Sequence, residues 1–252
     1  MPPFRRLLVA PLLTAAVAFP AAAFDPAAMT DAERAAFRAE VRSYLLENPE
    51  VLLEAVSALE ARQAAEQAVD DATLVQVNAE ALFSSPDDWV GGNPDGDVTL
   101  VEFVDYNCGF CRRAYPEVMQ VLEFDPDVRL VIKELPILGP GSELASQMAV
   151  AVLRLHGDEA YADLHDRLMT QRGEMNAAAL DRVGAAMGLD MAALRAEMES
   201  PEVARILDEN RALAARLRLS GTPSFALPGR LVRGMLPAPA LLDLVDTVRS
   251  EG

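Results

Sequence analysis

The chain predicts an α/β fold: a strand–helix–strand core, an all-helical insertion, and a helical segment ahead of both. Three observations carry this. Val98, Leu100, Val101, Phe103 and Val104 form a short apolar strand pattern, and a second one runs from Val128 to Leu135. Between them Arg112–Leu122 reads as a helix, so the two strands should be parallel. Residues 142–220 then show helical periodicity throughout, and residues 31–82 show it before the first strand.

The first residues read as a secretion signal. Arg5 and Arg6 make the positive region, Leu7–Phe19 the apolar region, and Ala21-Ala22-Ala23 the cleavage site. The apolar run is short for a membrane span. The expected division is residues 1–23 signal peptide, 24–82 N-terminal helical segment, and 83–252 a catalytic domain with its insertion at about 142–220. In the N-terminal segment Thr30 and Glu33 suggest a capping box. Phe37, Val41, Tyr44 and Leu45 make one narrow apolar stripe, and Leu52, Val56 and Leu59 continue it. Asn48-Pro49 breaks and restarts the helix, with Asn48 expected as N-cap. The stripe either packs back on its own domain or joins copies of the chain.

Residues 84–97 are rich in Pro, Gly and Asp and read as a loop, with Trp89 at its edge. In the insertion, Asn176, Asp190 and Ser200 mark helix starts and Gly188 a stop. Its methionines, at helical spacing, read as core more than as a peptide groove. Gly221-Thr-Pro-Ser-Phe225 enters another strand, Pro228-Gly229-Arg230 turns it, and residues 238–249 form the closing helix.

The two cysteines, Cys108 and Cys111, are the only ones in the chain. Cys108 falls at the strand-to-helix turn, where free N–H groups and the helix dipole favour a thiolate. A zinc half-site needs two further ligands, and His156 and His165 are nine apart, outside the usual spacing. A purely structural disulfide would close too small a loop to stabilise much. The pair therefore reads as a redox-active dithiol. Lys133 is the only lysine; its apolar neighbours imply burial, and a buried lysine needs a partner.

Glu102-Phe-Val-Asp-Tyr-Asn-Cys108-Gly-Phe-Cys111, with Gly221-Thr-Pro-Ser-Phe225 later, resembles the DsbA-type thioredoxin-fold oxidoreductases, most closely the Com1/ScsC-like branch. The similarity runs from about Phe83 to the C-terminus and is weaker over the N-terminal helices. It implies a thioredoxin fold with an inserted all-helical subdomain and an N-terminal helical extension. It also implies that Cys108 is the nucleophile and Cys111 the resolving thiol, with Glu102 and Lys133 as a buried pair assisting proton transfer. Thr222-Pro223 would be a cis bond facing the thiols, with the Thr222 backbone pairing with substrate, and Gly109 and Phe110 would tune the thiolate and the docking surface. By the same resemblance the N-terminal helices make a homo-oligomer, a trimer in this branch. The Gly-Phe dipeptide and the Thr before Pro223 favour isomerase or reductase action over net oxidation.

The implied partners are cysteine-containing envelope proteins and a membrane redox partner; no metal or organic cofactor is called for. The formal net charge of −17, about −19 without Arg5 and Arg6, argues against nucleic acid and anionic membranes. A DsbA-like oxidase, a Cu(I)-binding dithiol protein and a chaperone-like module remain the alternatives. A periplasmic location follows from the signal and the thiol chemistry.

Overall fold

The structure, a computed structural model, describes residues 28–251. The expected signal peptide, residues 1–23, lies outside them. The chain divides into two compact units, Met1–Glu60 and Ala61–Gly252.

The first unit holds α1 (Asp31–Glu47) and the start of α2 (Glu50–Val77). Thr30 and Glu33 form the capping box: Thr30 Oγ1 accepts from Glu33 N, and Glu33 Oε2 accepts from Thr30 N at 2.8 Å. Asn48 does not cap α2. Its side chain turns back and donates to Tyr44 O at 2.9 Å, closing α1 instead. No residue of α1 is buried within the described chain, and Val41, Tyr44, Leu46, Leu52, Val56 and Leu59 are exposed.

The second unit continues α2 and adds α3 (Ala79–Phe83), β1 (Trp89–Gly92), β2 (Val98–Val104), α4 (Gly109–Phe124) and β3 (Val128–Glu134). The insertion follows as α5 (Pro140–His156), α6 (Asp158–Thr170), α7 (Ala177–Ala186), α8 (Met191–Met198) and α9 (Pro201–Arg216). The chain ends with β4 (Ser224–Leu227), β5 (Arg230–Arg233) and α10 (Ala238–Glu251). Asn176, Asp190 and Ser200 each accept backbone N–H groups at the starts of α7, α8 and α9.

The five strands order as β1-β3-β2-β4-β5. β2 and β3 are parallel, as two strands joined through α4 must be, and the other pairs are antiparallel. The turn from β4 to β5 uses Pro228 and then Gly229 at φ +71°, a conformation only glycine takes without strain. β1 lies inside the stretch expected to be loop. Trp89-Val-Gly-Gly has no alternation to read; it is a strand because it pairs antiparallel with β3 from Ile132 to Arg129.

Apolar cores cover both sheet faces. Leu100, Val104, Leu130 and Ile132 pack on one face with α4, α5, α6 and α10. Val101, Phe103 and Val131 pack on the other with Val75, Leu82, Leu213 and Leu217. Strand alternation therefore puts the even-numbered residues of β2 and β3, Glu102 and Glu134 among them, on the α4 side. Of the methionines, Met148, Met169 and Met175 lie in the first core.

Candidate active site

β2 carries Glu102 into the core and ends at Val104, and Asp105-Tyr106-Asn107 lead to Cys108. Asp105 fixes this loop. Its Oδ1 accepts from Asn107 N at 2.8 Å, and its Oδ2 accepts from Ile137 N and Leu138 N at 2.8 and 3.0 Å. Cys108 N donates to Asp105 O at 2.9 Å, and Arg112 Nε donates to Tyr106 O at 2.8 Å. Cys108 is the N-cap of α4, with no side-chain cap bond, so its sulfur sits at the helix end that carries the free N–H groups.

Both cysteines are free thiols, and they differ in access. Cys108 is 6% exposed and Cys111 is 0% exposed. Cys108 Sγ donates to Thr222 O at 3.0 Å, across 114 residues of chain, and the Thr222–Pro223 bond is cis. Burial pushes the Cys111 thiol well above the ordinary range, and the nearby Glu102 carboxylate pushes it further. Among the described residues the buried Thr222 hydroxyl has no oxygen or nitrogen partner, and it favours the Cys111 thiolate.

Glu102 is buried, and among the described residues its Oε1 has no hydrogen-bond partner. Burial, with charge on Cys108 adding to it, pushes its carboxyl up to about 8. Among the described residues no cation or donor is paired with this carboxyl, so nothing offsets the burial that favours its neutral form. At the surface Phe110 is 58% exposed, with the Arg113 guanidinium 4.3 Å above its ring. A Cβ built on Gly109 would meet nothing within 4 Å, so this position faces open space.

The structure thus brings together Cys108, Cys111, Glu102, Thr222 and Pro223, with Gly109 and Phe110 on the outer rim. It does not bring Lys133 to them. Glu102 is in register with Ile132, so Lys133 projects from the opposite sheet face. There Lys133 Nζ pairs with Asp88 Oδ2 at 2.5 Å and donates to Ala81 O at 2.6 Å. The expected Glu102–Lys133 pair is not formed, and Lys133 holds α3 and the β1 approach onto the back of the sheet. The same burial that demanded a partner pushes Asp88 up to about 6, against the pull of Lys133.

Sequence reasoning missed Asp105 as the loop's anchor and Glu134 as a second buried acid. The signals were there: an acid between the apolar strand and the first cysteine, and another closing an apolar strand. His156 is exposed and His165 buried, and among the described residues no cluster of His, Cys, Asp or Glu is placed to hold a metal ion. Among them, too, no helix is long and apolar enough to cross a membrane.

Comparison with known proteins agrees with this geometry. Residues 99–246 match the family described as DSBA-like thioredoxin domain, and residues 33–66 match the copper resistance protein ScsC N-terminal domain. A thioredoxin-like oxidoreductase from Silicibacter pomeroyi is 43% identical, with a TM-score of 0.66 over 69% of this chain and 98% of its own. A linker-deletion mutant of ScsC from Proteus mirabilis is 26% identical, with a TM-score of 0.66 over 90% of this chain and 100% of its own. Among curated relatives, the Na(+)/H(+) antiporter NhaA 1 of Salinispora arenicola is 31% identical over 157 residues, 61% of this chain. The match spans only 24% of that antiporter's length.

Proposed function

The chain belongs to the DSBA-like thioredoxin family, and from that premise we propose that it is a periplasmic thiol:disulfide interchange protein that acts on protein disulfides, as an isomerase or reductase. The observation that carries this is the placing of Cys108 at the start of α4, hydrogen-bonded to the carbonyl of Thr222, with Cys111 buried behind it beside Glu102.

In the reduced protein the Cys108 thiolate attacks one sulfur of a substrate disulfide. A mixed disulfide forms and the other substrate sulfur leaves as a thiolate. For isomerisation that thiolate attacks a second substrate disulfide, and a later substrate thiolate displaces Cys108. For reduction Cys111 gives up its proton and attacks Cys108 Sγ, which releases the substrate sulfur and leaves the Cys108–Cys111 disulfide. Glu102 is the proposed acceptor of the Cys111 proton. Forming the mixed disulfide removes the charge on Cys108 that helps hold the Glu102 carboxyl up, so Glu102 ionises more readily when a base is needed. The Thr222 backbone offers an edge for an extended substrate segment, and exposed Phe110 an apolar contact beside it.

The exposed apolar residues of α1 and α2 support assembly of copies through these helices, as a trimer by family resemblance. Joined active sites raise the effective concentration of thiols on one misfolded substrate. The alternative is a DsbA-like oxidase, and a dithiol Cu(I) site is a weaker one. The test is refolding of a scrambled disulfide protein in a glutathione buffer, with the mature chain and with a form lacking residues up to Glu60. Isomerisation by the mature chain, lost in the shortened form while dithiol chemistry persists, is the expected result. Net oxidation by both forms alike would move the assignment to oxidase.

A further inference from the structure

The thiol chemistry leaves one buried polar cluster unused. Glu134, the last residue of β3, accepts three hydroxyl groups. Tyr106 Oη and Tyr161 Oη donate to its Oε1 at 2.7 and 2.6 Å, and Ser146 Oγ donates to its Oε2 at 2.7 Å. Because the Tyr106 proton is committed to Glu134, His165 Nδ1, 2.9 Å from Tyr106 Oη, is the donor in that contact. Burial holds the His165 imidazole neutral, down at about 4.

The groups around Glu134 come from several elements: Asp105 and Tyr106 from the cysteine loop, Ser146 from α5, Tyr161 and His165 from α6, and Asn210 of α9, whose Nδ2 donates to the Glu134 carbonyl at 3.1 Å; Asp88, on the approach to β1, acts on Tyr161. Among the described residues no cation pairs with Glu134, and Lys133 points away. Burial raises the carboxyl, the three hydroxyls lower it, Asp105 raises it, and it settles at about 7.

Tyr106 ties this hub to the thiols. It stands two residues before Cys108, and its carbonyl accepts Arg112, the residue after Cys111. We propose that Glu134 is a positioning residue for thiol exchange: its carboxylate, gripping Tyr106, Tyr161 and Ser146, holds the Cys108 loop against the helical insertion, and holds it most firmly as the anion. The proposal rests on the thiol-exchange reading of Cys108. Hydrogen bonds to an ionised acceptor are about twice as strong as neutral ones. Protonation makes Glu134 a donor, forces Ser146 to turn, and reduces both tyrosine contacts to neutral bonds.

Glu134→Gln locks the neutral state in the same shape. Its amide oxygen keeps both tyrosine contacts, and its NH₂ donates to a turned Ser146. Exchange with oxidised glutathione is measured for the reduced wild type and Glu134→Gln at pH 5.5 and 8.5. The wild type to variant rate ratio should be near one at pH 5.5 and rise about threefold to tenfold at pH 8.5. In a Tyr106→Phe background the ratio should stay near one at both values. A second readout is direct: Trp89, the chain's single tryptophan, stacks on Tyr161 at 5.2 Å and on His165 at 6.3 Å between ring centroids. Its fluorescence should carry a titration in the wild type and in Cys108→Ser that Glu134→Gln loses, while the effect of neighbouring Asp88, raised to about 6, persists in all three. A ratio that does not change with pH while exchange is intact, or a Trp89 titration curve that is the same in the wild type and Glu134→Gln, overturns this proposal alone. Absence of exchange in the wild type overturns the thiol reading and this one with it.

Discussion

Glu102→Gln should make the protein more stable at alkaline pH and slower in resolving its mixed disulfide. The carboxyl ionises near 4.5 in an unfolded chain and at about 8 in the core. Between these values the folded state holds a proton that the unfolded state has shed, so Glu102 weakens the fold increasingly as pH rises from about 4.5 to 8. Linkage makes the penalty about 1 kcal/mol at pH 5 and roughly 4–5 kcal/mol at pH 8.5. Glutamine escapes this penalty but buries an amide with no partner, a cost of about 1–3 kcal/mol at every pH. The diagnostic is therefore the change in the difference between the two proteins, about 4 kcal/mol from pH 5 to pH 8.5, read by urea unfolding at both values. Removal of the base should also lengthen the lifetime of the Cys108 mixed disulfide, on the order of 10²-fold, while its formation stays fast. A stability difference that is constant with pH, together with an unchanged mixed-disulfide lifetime, would refute the reasoning.

Lys133→Ala should cost about 3–5 kcal/mol, because it strands buried Asp88 and the Ala81 carbonyl. Thermal unfolding reads that loss, and since Lys133 lies on the far sheet face, a changed pH–rate profile for thiol exchange would contradict its structural assignment. Iodoacetamide should modify Cys108 of the reduced protein and spare Cys111, and Cys108→Ser should abolish disulfide reduction. Mass spectrometry showing Cys111 labelled first would reverse the two roles.

The parallel β2–β3 pair was legible because each strand has its own apolar pattern and a helix lies between them. The helix starts of the insertion were legible because Asn176, Asp190 and Ser200 act within their own turns. What the sequence hid is what pairing decides. β1 has no pattern of its own and exists through its bonds to β3. The face that Lys133 takes depends on register, and one residue of slip moves a whole strand's side chains to the other side. Spacing alone placed Lys133 on the strand beside Glu102 without stating that Ile132, not Lys133, stands in register with Glu102. The meeting of Cys108 with Thr222 was legible only through family resemblance, since no local rule joins residues 114 apart.

Two acids on one sheet face show how hydrogen bonding separates roles that burial alone would merge. Glu102 and Glu134 are both buried, on adjacent parallel strands, and among the described residues neither is paired with a cation. Desolvation raises both. Glu134 has three hydroxyls aimed at it, and each stabilises the anion, so it settles at about 7. Among the described residues no such donor acts on Glu102, and it reaches about 8. The three hydroxyls favour the Glu134 anion and put its acceptor capacity in use, while burial without such donors favours Glu102 as a neutral acid with an oxygen to spare. An acid whose oxygens are all engaged can hold a loop but has nothing free with which to take a proton. An unsatisfied acid weakens the core it sits in, and its unsatisfied oxygen is the feature on which the proposed proton exchange with Cys111 rests.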